Sequence, residues 1–401
     1  LLTCRLYFMD NTPISNIEHT LLEKEPVLRV VINGIHAKSG GGVTYLKNIL
    51  PILANIPNIE MHLFIHKNQF ELFYPIDEKV NVILLSFKPT FWNTLIWEQI
   101  AIPIKAWAMG YSVLFSPANY GPIMVSNHVI LLRNAISVLR IAANYKQTLY
   151  WVALSLATLI SFISSKKVIA VSHYAKQLMT FKLPKRFCKK CGVVYHGVKS
   201  PQLSDKQYDS LGVDILAVSD IYVQKNYYNL IRSFKILLKK RPKLRLIIIG
   251  DTIDHGYQKK LNTLIDELKI KKKVIFKGRV ENEELIKYYK NCRVFVFPSL
   301  VETFGNTLLE AMSFGKAIAC SETAAMPEVL GDCGVYFNPE DEFDIANKIE
   351  LLLANDKLSI KLGRNAMQRA DSFSWDNTAK DTYHILLEAS NQKQNIIKNI
   401  R

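Results

Sequence analysis

The chain alternates short apolar runs with longer segments in which apolar residues recur every three or four positions. In the first half the runs are Val27–Asn33, Met61–His66, Val80–Leu85, Val113–Ser116, Val129–Leu132, Val168–Ser172 and Gly192–Tyr195. In the second half they are Ile215–Ser219, Leu244–Gly250, Val274–Lys277, Arg293–Pro298 and Ala317–Cys320. Continuous β-branched runs separated by helical-period segments predict βαβ units, and hence parallel sheets covered by helices on both faces. A polar break near Lys199–Tyr208 separates two such series. The pattern predicts an α/β protein of two doubly wound, Rossmann-like domains, residues 27–203 and 204–374, facing a central cleft. Ligands are then expected at the C-terminal ends of the strands. Residues 1–26 precede the pattern as an extension, and 375–401 follow it.

Composition narrows the class. Of 401 residues, 49% are hydrophobic and 21% charged, with mean hydropathy near zero. That excludes disorder, collagen-like repeats and a polytopic membrane protein. Six scattered cysteines do not make a disulfide framework, which points to a reducing cytoplasm. The first residue is Leu, so the numbering need not start at a native start. Residues 1–26 show no basic segment followed by an apolar core, which argues against secretion.

Charge is unevenly spread. Lys and Arg exceed Asp and Glu by 51 − 35 = 16. Between Gln99 and Ser204 lie thirteen Lys/Arg and neither Asp nor Glu. A one-signed stretch of this length attracts an anionic partner such as nucleic acid, anionic lipid or a phosphorylated substrate. A lysine-rich, solubilised surface would account for it equally well. Within this stretch, Gln147–Ser165 carries no charge and approaches the length of a membrane span. Its Ser/Thr content and its place between two strands of one sheet favour a buried or interface-lying helix. Lys166, Lys167, Lys176 and the basic run up to Lys190 follow, consistent with peripheral contact with an anionic membrane.

Three constellations could carry chemistry. In the first, Glu302 lies in the loop after the run ending at Pro298, and Glu310 lies in the first turns of a helix starting near Asn306. Gly305 allows close backbone approach, and the free amides of Asn306, Thr307 and Leu308 form an anion site. A loop carboxylate and a helix carboxylate flanking a diphosphate would suit a nucleotide-sugar. Thr307 and Glu310 also have the spacing of a capping box, in which Glu310 would merely satisfy the helix end. In the second, Lys225 precedes Asn226, which suits a helix N-cap. Lys225 could reach a phosphate at the cleft mouth, or be an ordinary solvated lysine. In the third, Gly40, Gly41 and Gly42 form a turn between the first strand and a helix, neither a dinucleotide fingerprint nor a Walker loop. His36, His173 and His196 each follow a strand and could face the cleft. Cys188 and Cys191 have the spacing of half a zinc knuckle, but no second pair follows.

Together these residues resemble the family-4 (group 1) retaining glycosyltransferases of the GT-B fold. The resemblance rests on Val274-Ile-Phe-Lys-Gly278-Arg-Val280, Phe297-Pro-Ser, and Glu302-x7-Glu310 followed by Ala311-Met-Ser-Phe-Gly315. Pro327-Glu-Val, Phe373-Ser-Trp375 and Thr378-Ala379 extend it. It implies that Glu302 contacts the donor sugar and Glu310 the nucleotide ribose. Phe304, Gly305, Asn306 and Thr307 would meet sugar and phosphate, and Val280 would lie by the base. Lys225 matches one of the family's paired phosphate cations, but its Arg partner is replaced around Ser219-Asp220. Gly41 and Gly42 resemble the glycine loop that touches the donor phosphate. The histidine expected after the middle strand is missing, with Arg133 as the substitute on the acceptor side, where His36 and His173 are further candidates. The resemblance also implies a C-terminal helix, from Trp375, crossing back onto the first domain.

The expected activity is retaining transfer of a hexose-type sugar from a nucleoside-diphosphate donor to a glycan or lipid-linked acceptor. That would belong to cell-surface polysaccharide synthesis at the inner face of the cytoplasmic membrane. Lys225, the Gly41 and Gly42 amides and the helix terminus would stabilise the departing diphosphate. No Asp-x-Asp triplet is present, so neither a metal nor another cofactor is expected. A nucleotide-sugar epimerase of the same fold is the alternative. A nucleic-acid binder fits less well, because basic and aromatic residues do not interleave.

Overall fold

The computed structural model describes residues 27–38, 40–133, 145–181, 183–199, 201 and 212–390. Two all-parallel sheets form the molecule. The first contains β1 (Leu28–Asn33), β2 (Ile59–His66), β3 (Val80–Leu85), β4 (Val113–Ser116), β5 (His128–Leu132), β6 (Lys167–Ala170) and β7 (Cys191–Val193). Its order is β3-β2-β1-β4-β5-β6-β7. The second contains β8 (Asp214–Val218), β9 (Leu246–Ile249), β10 (Val274–Phe276), β11 (Cys292–Phe297), β12 (Ile318–Ser321) and β13 (Val335–Phe337), in the order β10-β9-β8-β11-β12-β13.

Each run read as a strand forms one. Buried on both faces, these strands read as unbroken apolar stretches: Val30 and Ile32 pack on one side of the first sheet, and Val31 on the other. The sequence reading missed β13. It is three residues long with two of them half-buried, too short to show a period. The boundary placed at 203/204 falls among 202–211, and the extension 1–26 and the tail beyond 390 likewise lie outside the described residues.

Strand order reverses between β1 and β4 in one sheet and between β8 and β11 in the other. Crevices open at such switch points, beyond the strands' C-terminal ends. The glycine turn follows β1, Lys225 follows β8, and Glu302 follows β11. The two sheets therefore aim their crevices at one shared seam.

The last helix, Trp375–Ala389, returns to the first domain, as the resemblance implied. It packs on the helix Gly40–Ala54. The Tyr45 hydroxyl and Thr382 Oγ1 lie 2.8 Å apart between these helices. Thr378 donates to the Tyr195 carbonyl at 2.7 Å. Gly197 makes the crossing possible: a Cβ there would lie 2.2 Å from the Trp375 backbone nitrogen. Tyr195, Phe304 and Phe373 then join His196 and Trp375 in an aromatic cluster spanning both domains.

Candidate active site

On the second domain the centre is the loop after β11. Lys225 Nζ is ion-paired to Glu302 Oε1. The pair is held by the loop after β8. There a short turn, Val223–Lys225, ends at Asn226 in the left-handed region, φ 54°, which Asn tolerates better than most residues. Asn226 stands at the N-cap position, but its side chain does not cap the helix. Instead it donates to the carbonyls of Pro298 at 3.1 Å and Pro339 at 2.7 Å, tying this loop to the one carrying Glu302. Burial alone would push Lys225 down; Glu302 and Tyr222 more than reverse this and hold it above the ordinary lysine range. Lys225 is thus a buried ammonium whose charge is fixed, not a solvated surface lysine.

Gly305 takes φ 95° and starts the helix Asn306–Ser313 without a side-chain cap. A side chain there would be strained and would press on the Phe297 ring, 3.3 Å from a Cβ. Among the described residues the amides of Asn306, Thr307 and Leu308 find no acceptor. The capping box is not formed, because Gly305 rather than a residue paired to Glu310 occupies the cap. Glu310 Oε2 accepts from the Tyr289 hydroxyl at 2.9 Å instead. Burial raises its carboxyl above the usual range, with Tyr289 pulling it partway back. Glu302 and Glu310 therefore stand on either side of one uncapped helix mouth. Val280 lies after β10 at the same edge, half-buried against the core.

The first domain meets this mouth directly. Gly40–Gly42 form the opening turn of the helix Gly40–Ala54, rather than the separate loop read from the sequence, because glycine at φ 55° lets the helix begin at once. A Cβ on Gly41 would lie 3.3 Å from Asn306 Nδ2, and one on Gly42 only 1.8 Å from Arg133 Nη1. Arg133 therefore occupies the space that a side chain at 42 would take. Its Nε is buried with no hydrogen-bond partner among the described residues, and burial pulls its pKa down. No carboxylate among the described residues pairs with it. A desolvated guanidinium without a counter-charge costs several kcal/mol unless an anion joins it.

His196 closes the seam. Its Nδ1 lies 2.8 Å from Asn306 Oδ1, while Nε2 is buried with no partner among the described residues. Burial lowers its pKa to about 4, so the ring is neutral near pH 7. Ser172 donates to the Thr303 carbonyl at 2.5 Å, and Thr303 Oγ1 donates to the carbonyl of Arg133. Glu328 accepts the His173 amide at 2.6 Å, the Tyr174 amide at 3.0 Å and the Tyr195 hydroxyl at 2.9 Å.

The structure thus gathers Lys225, Glu302, Phe304, Gly305, Asn306, Thr307, Glu310, Gly41, Gly42 and Arg133 around one seam. His173 is placed apart from them: its backbone, not its ring, makes the contact with Glu328. His36 lies deeper in the first domain, with Nε2 2.8 Å from the buried Glu98 and Nδ1 3.4 Å from the Tyr120 hydroxyl. The reading of motifs missed Tyr289, Glu98 and the role of Asn226. Asp220, standing where a cation was expected, accepts from the Asp251 amide at 3.0 Å and braces a neighbouring loop. Cys191 is buried and its thiol pushed up to about 12, unlike a metal-binding thiolate. Among the described residues no group of three or more metal-ligating side chains assembles.

Comparison with known proteins places the fold and the second domain among glycosyltransferases. The family profile of glycosyl transferases group 1 matches residues 209–369. A serotype-specific mannosyltransferase of Escherichia coli is 30% identical over 195 residues, 48% of this chain but only 23% of the relative. An N-acetylgalactosaminyltransferase of Campylobacter jejuni, named for a diacetylbacillosaminyl-diphospho-undecaprenol acceptor, is 28% identical over 205 residues, 50% of this chain and 54% of its own length. This chain therefore spans less than a quarter of the one and about half of the other. The O-antigen chain mannosyltransferase RfbU of Salmonella typhimurium is 27% identical across 76% of this chain and 85% of its own. Among solved structures, Anabaena HepE in complex with UDP and glucose superposes with a TM-score of 0.69 at 16% identity, covering 90% of this chain and 99% of that one. A Rickettsia africae glycosyltransferase gives 0.70 at 16% identity, with 92% and 100% covered. The two-sheet architecture is the GT-B fold of these neighbours.

Proposed function

We infer that this chain, whose residues 209–369 match the family profile of glycosyl transferases group 1, moves a sugar from a nucleoside-diphosphate donor to a glycan or lipid-linked acceptor, with retention at the anomeric carbon. One observation carries the reading. An uncapped helix mouth, flanked by Glu302 with Lys225 and by Glu310 with Tyr289, faces Arg133, which lies on Gly42 of the opposite domain and pairs with no carboxylate among the described residues.

Each part has a task. As the sugar–phosphate bond breaks, negative charge collects on the departing diphosphate. Lys225 and Arg133 supply positive charge from opposite domains, and the amides at Asn306–Leu308 supply oriented dipoles between them. Arg133 thereby replaces the cation missing beside Asp220. Charge stabilisation of this kind needs no divalent ion. Glu302, held in place by Lys225, accepts hydrogen bonds from the sugar hydroxyls. Glu310 takes the ribose diol, with Tyr289 fixing its carboxyl. Similarity to O-antigen mannosyltransferases and to an enzyme named for a polyprenyl-diphosphate acceptor supports a role in bacterial cell-surface polysaccharide synthesis.

Thermal-shift titration against UDP-, GDP-, ADP- and dTDP-sugars tests the donor site. One nucleotide series should raise Tm, and Lys225→Ala should abolish the rise. No shift with any of them would reject the assignment. Incubating donor alone separates transfer from epimerisation, since an epimerase would convert it without acceptor.

A further inference from the structure

The first domain bears a second surface that the cleft does not use. Between β3 and β4 the chain forms one continuous helix, Phe91–Ala108, with a wider turn over Trp97–Ala101. Its inner side buries Ile102 and Ala106 against the sheet. Its outer side is also apolar. Trp92, Ile96, Ile100, Ile104 and Trp107 recur at helical spacing in one exposed stripe, with Trp92 at 69% and Trp107 at 77% exposure.

A second stripe runs beside it. The helix Tyr145–Ser164 turns Leu156, Ile160 and Ile163 to solvent. The loop between the two helices is bonded to both. Gln99 and Ser161 each donate to the Gly121 carbonyl, at 3.2 and 3.4 Å, and the Ile123 amide donates to Gln99 at 3.0 Å. Ile123 and Met124 project from that loop, Met124 being 93% exposed. The two stripes and the loop therefore form one continuous apolar face, far larger than the scattered exposed residues of an ordinary surface.

Its charge has one sign. Glu98, the acidic residue of the first helix, points inward, 3.0 Å from Asn33 Nδ2 and paired with His36. Lys105 is exposed on the same helix, and Lys166 and Lys190 stand at the end of the second. From Gln99 onward the face lies within the stretch, ending at Ser204, that has no acid at all. Apolar side chains with interfacial tryptophans and a basic margin match the headgroup–acyl boundary of a bilayer containing anionic lipid. A protein partner of matching apolar shape would leave the acid-free margin unexplained.

We propose that this face, formed by Phe91–Ala108, Ile123–Met124 and Leu156–Ile163, docks the protein on an anionic membrane surface. No described helix is long and apolar enough to cross a membrane, so the face lies on the bilayer rather than in a span. The helix Phe91–Ala108 starts beyond the cleft-facing end of β3, so the Trp92 end of the docked face lies on the cleft side of the first domain. For the transfer reading above, that would bring a lipid-linked acceptor to the Arg133 side. The docking itself uses none of the donor-site residues.

Flotation on phosphatidylcholine vesicles, with and without phosphatidylglycerol, tests it. The full chain should float with the phosphatidylglycerol vesicles, and its tryptophan emission should be quenched by brominated lipid. The triple variant Trp92→Gln, Ile100→Gln, Trp107→Gln should lose about tenfold or more in vesicle binding, because affinity scales with the apolar area inserted. Circular dichroism and the nucleotide-sugar Tm shift should be unchanged in that variant, so failed docking is distinguishable from a failed donor site. Absence of flotation by the unmodified chain, or equal flotation and quenching of the variant, would overturn the proposal. So would concentration-dependent dimerisation, without flotation, that the variant abolishes, since the face would then join two copies.

Discussion

The two walls of the cleft hold their charges in opposite ways. On the second domain each ionisable group is already matched: Lys225 with Glu302, and Glu310 with the Tyr289 hydroxyl. On the first domain the Nε of Arg133 and one nitrogen of His196 are buried with no hydrogen-bond partner among the described residues. A matched group keeps its position and protonation state whether or not a ligand is present. An unmatched one gains most when an anion arrives, since the desolvation cost is already met by the fold. The second domain is a preformed frame, and the first is the wall that closes on charge.

The largest test of this contrast is Glu302→Gln. It keeps the shape but leaves Lys225 without its counter-charge and, in the transfer reading, offers the sugar hydroxyls a neutral amide in place of a carboxylate. Transfer should fall about 10²–10³-fold, the usual effect of removing one preorganised group. Radiolabelled donor assays would show it, and a rate within a few-fold of the parent would break the assignment. Next is Gly42→Ala, whose added methyl collides with Arg133. It should lower kcat/KM by roughly 10²-fold, as misplacement of a positioning group by about 1 Å does. Gly41→Ala meets only Asn306 at 3.3 Å and should lose far less. Equal losses for the two would remove Arg133 from the site.

Smaller effects sharpen the picture. Tyr289→Phe frees Glu310 and should raise the donor KM about tenfold with kcat nearly unchanged, the signature of uniform binding lost. Burial depresses His196 to about 4 and His128 to about 3, against an unfolded value of 6.5. Below that value the unfolded chain takes up protons while the folded one does not, so stability falls as pH falls. Each of the two histidines should remove about 1 kcal/mol over the first pH unit below 6. Thermal unfolding followed across that range should show the decline, and His196→Asn should flatten its slope by about half.

Much of the donor wall is visible in the linear chain because its chemistry is local. Glu302, Gly305 and Glu310 sit within nine consecutive positions of one strand–loop–helix unit, so spacing alone puts both carboxylates at one helix end. The partners are another matter. Nothing in the vicinity of Tyr289 marks it as the group holding Glu310. Asn226 was read as a helix cap because its spacing fits one; it binds carbonyls 72 and 113 residues away instead. Arg133 was visible only as an arginine standing where the family has a histidine. Its burial against Gly42 joins a residue just after β5 to the helix that follows β1.

Along the same lines, the apolar face of Phe91–Ala108 was hidden from the periodicity. That helix is apolar on both sides, and a repeat pattern cannot tell the side that meets a sheet from the side left open. The acid-free stretch was legible as charge, but its meaning depends on Glu98 being turned inward.

The order of strands and helices, the two-domain division and the carboxylate pair follow from the chain itself, because hydrophobic period and turn chemistry act between near neighbours. Which charges are paired, which face stays bare and which residues of the first domain meet the second are settled only in three dimensions. Desolvation and contact depend on everything that surrounds a group, and most of what surrounds these groups comes from distant parts of the chain.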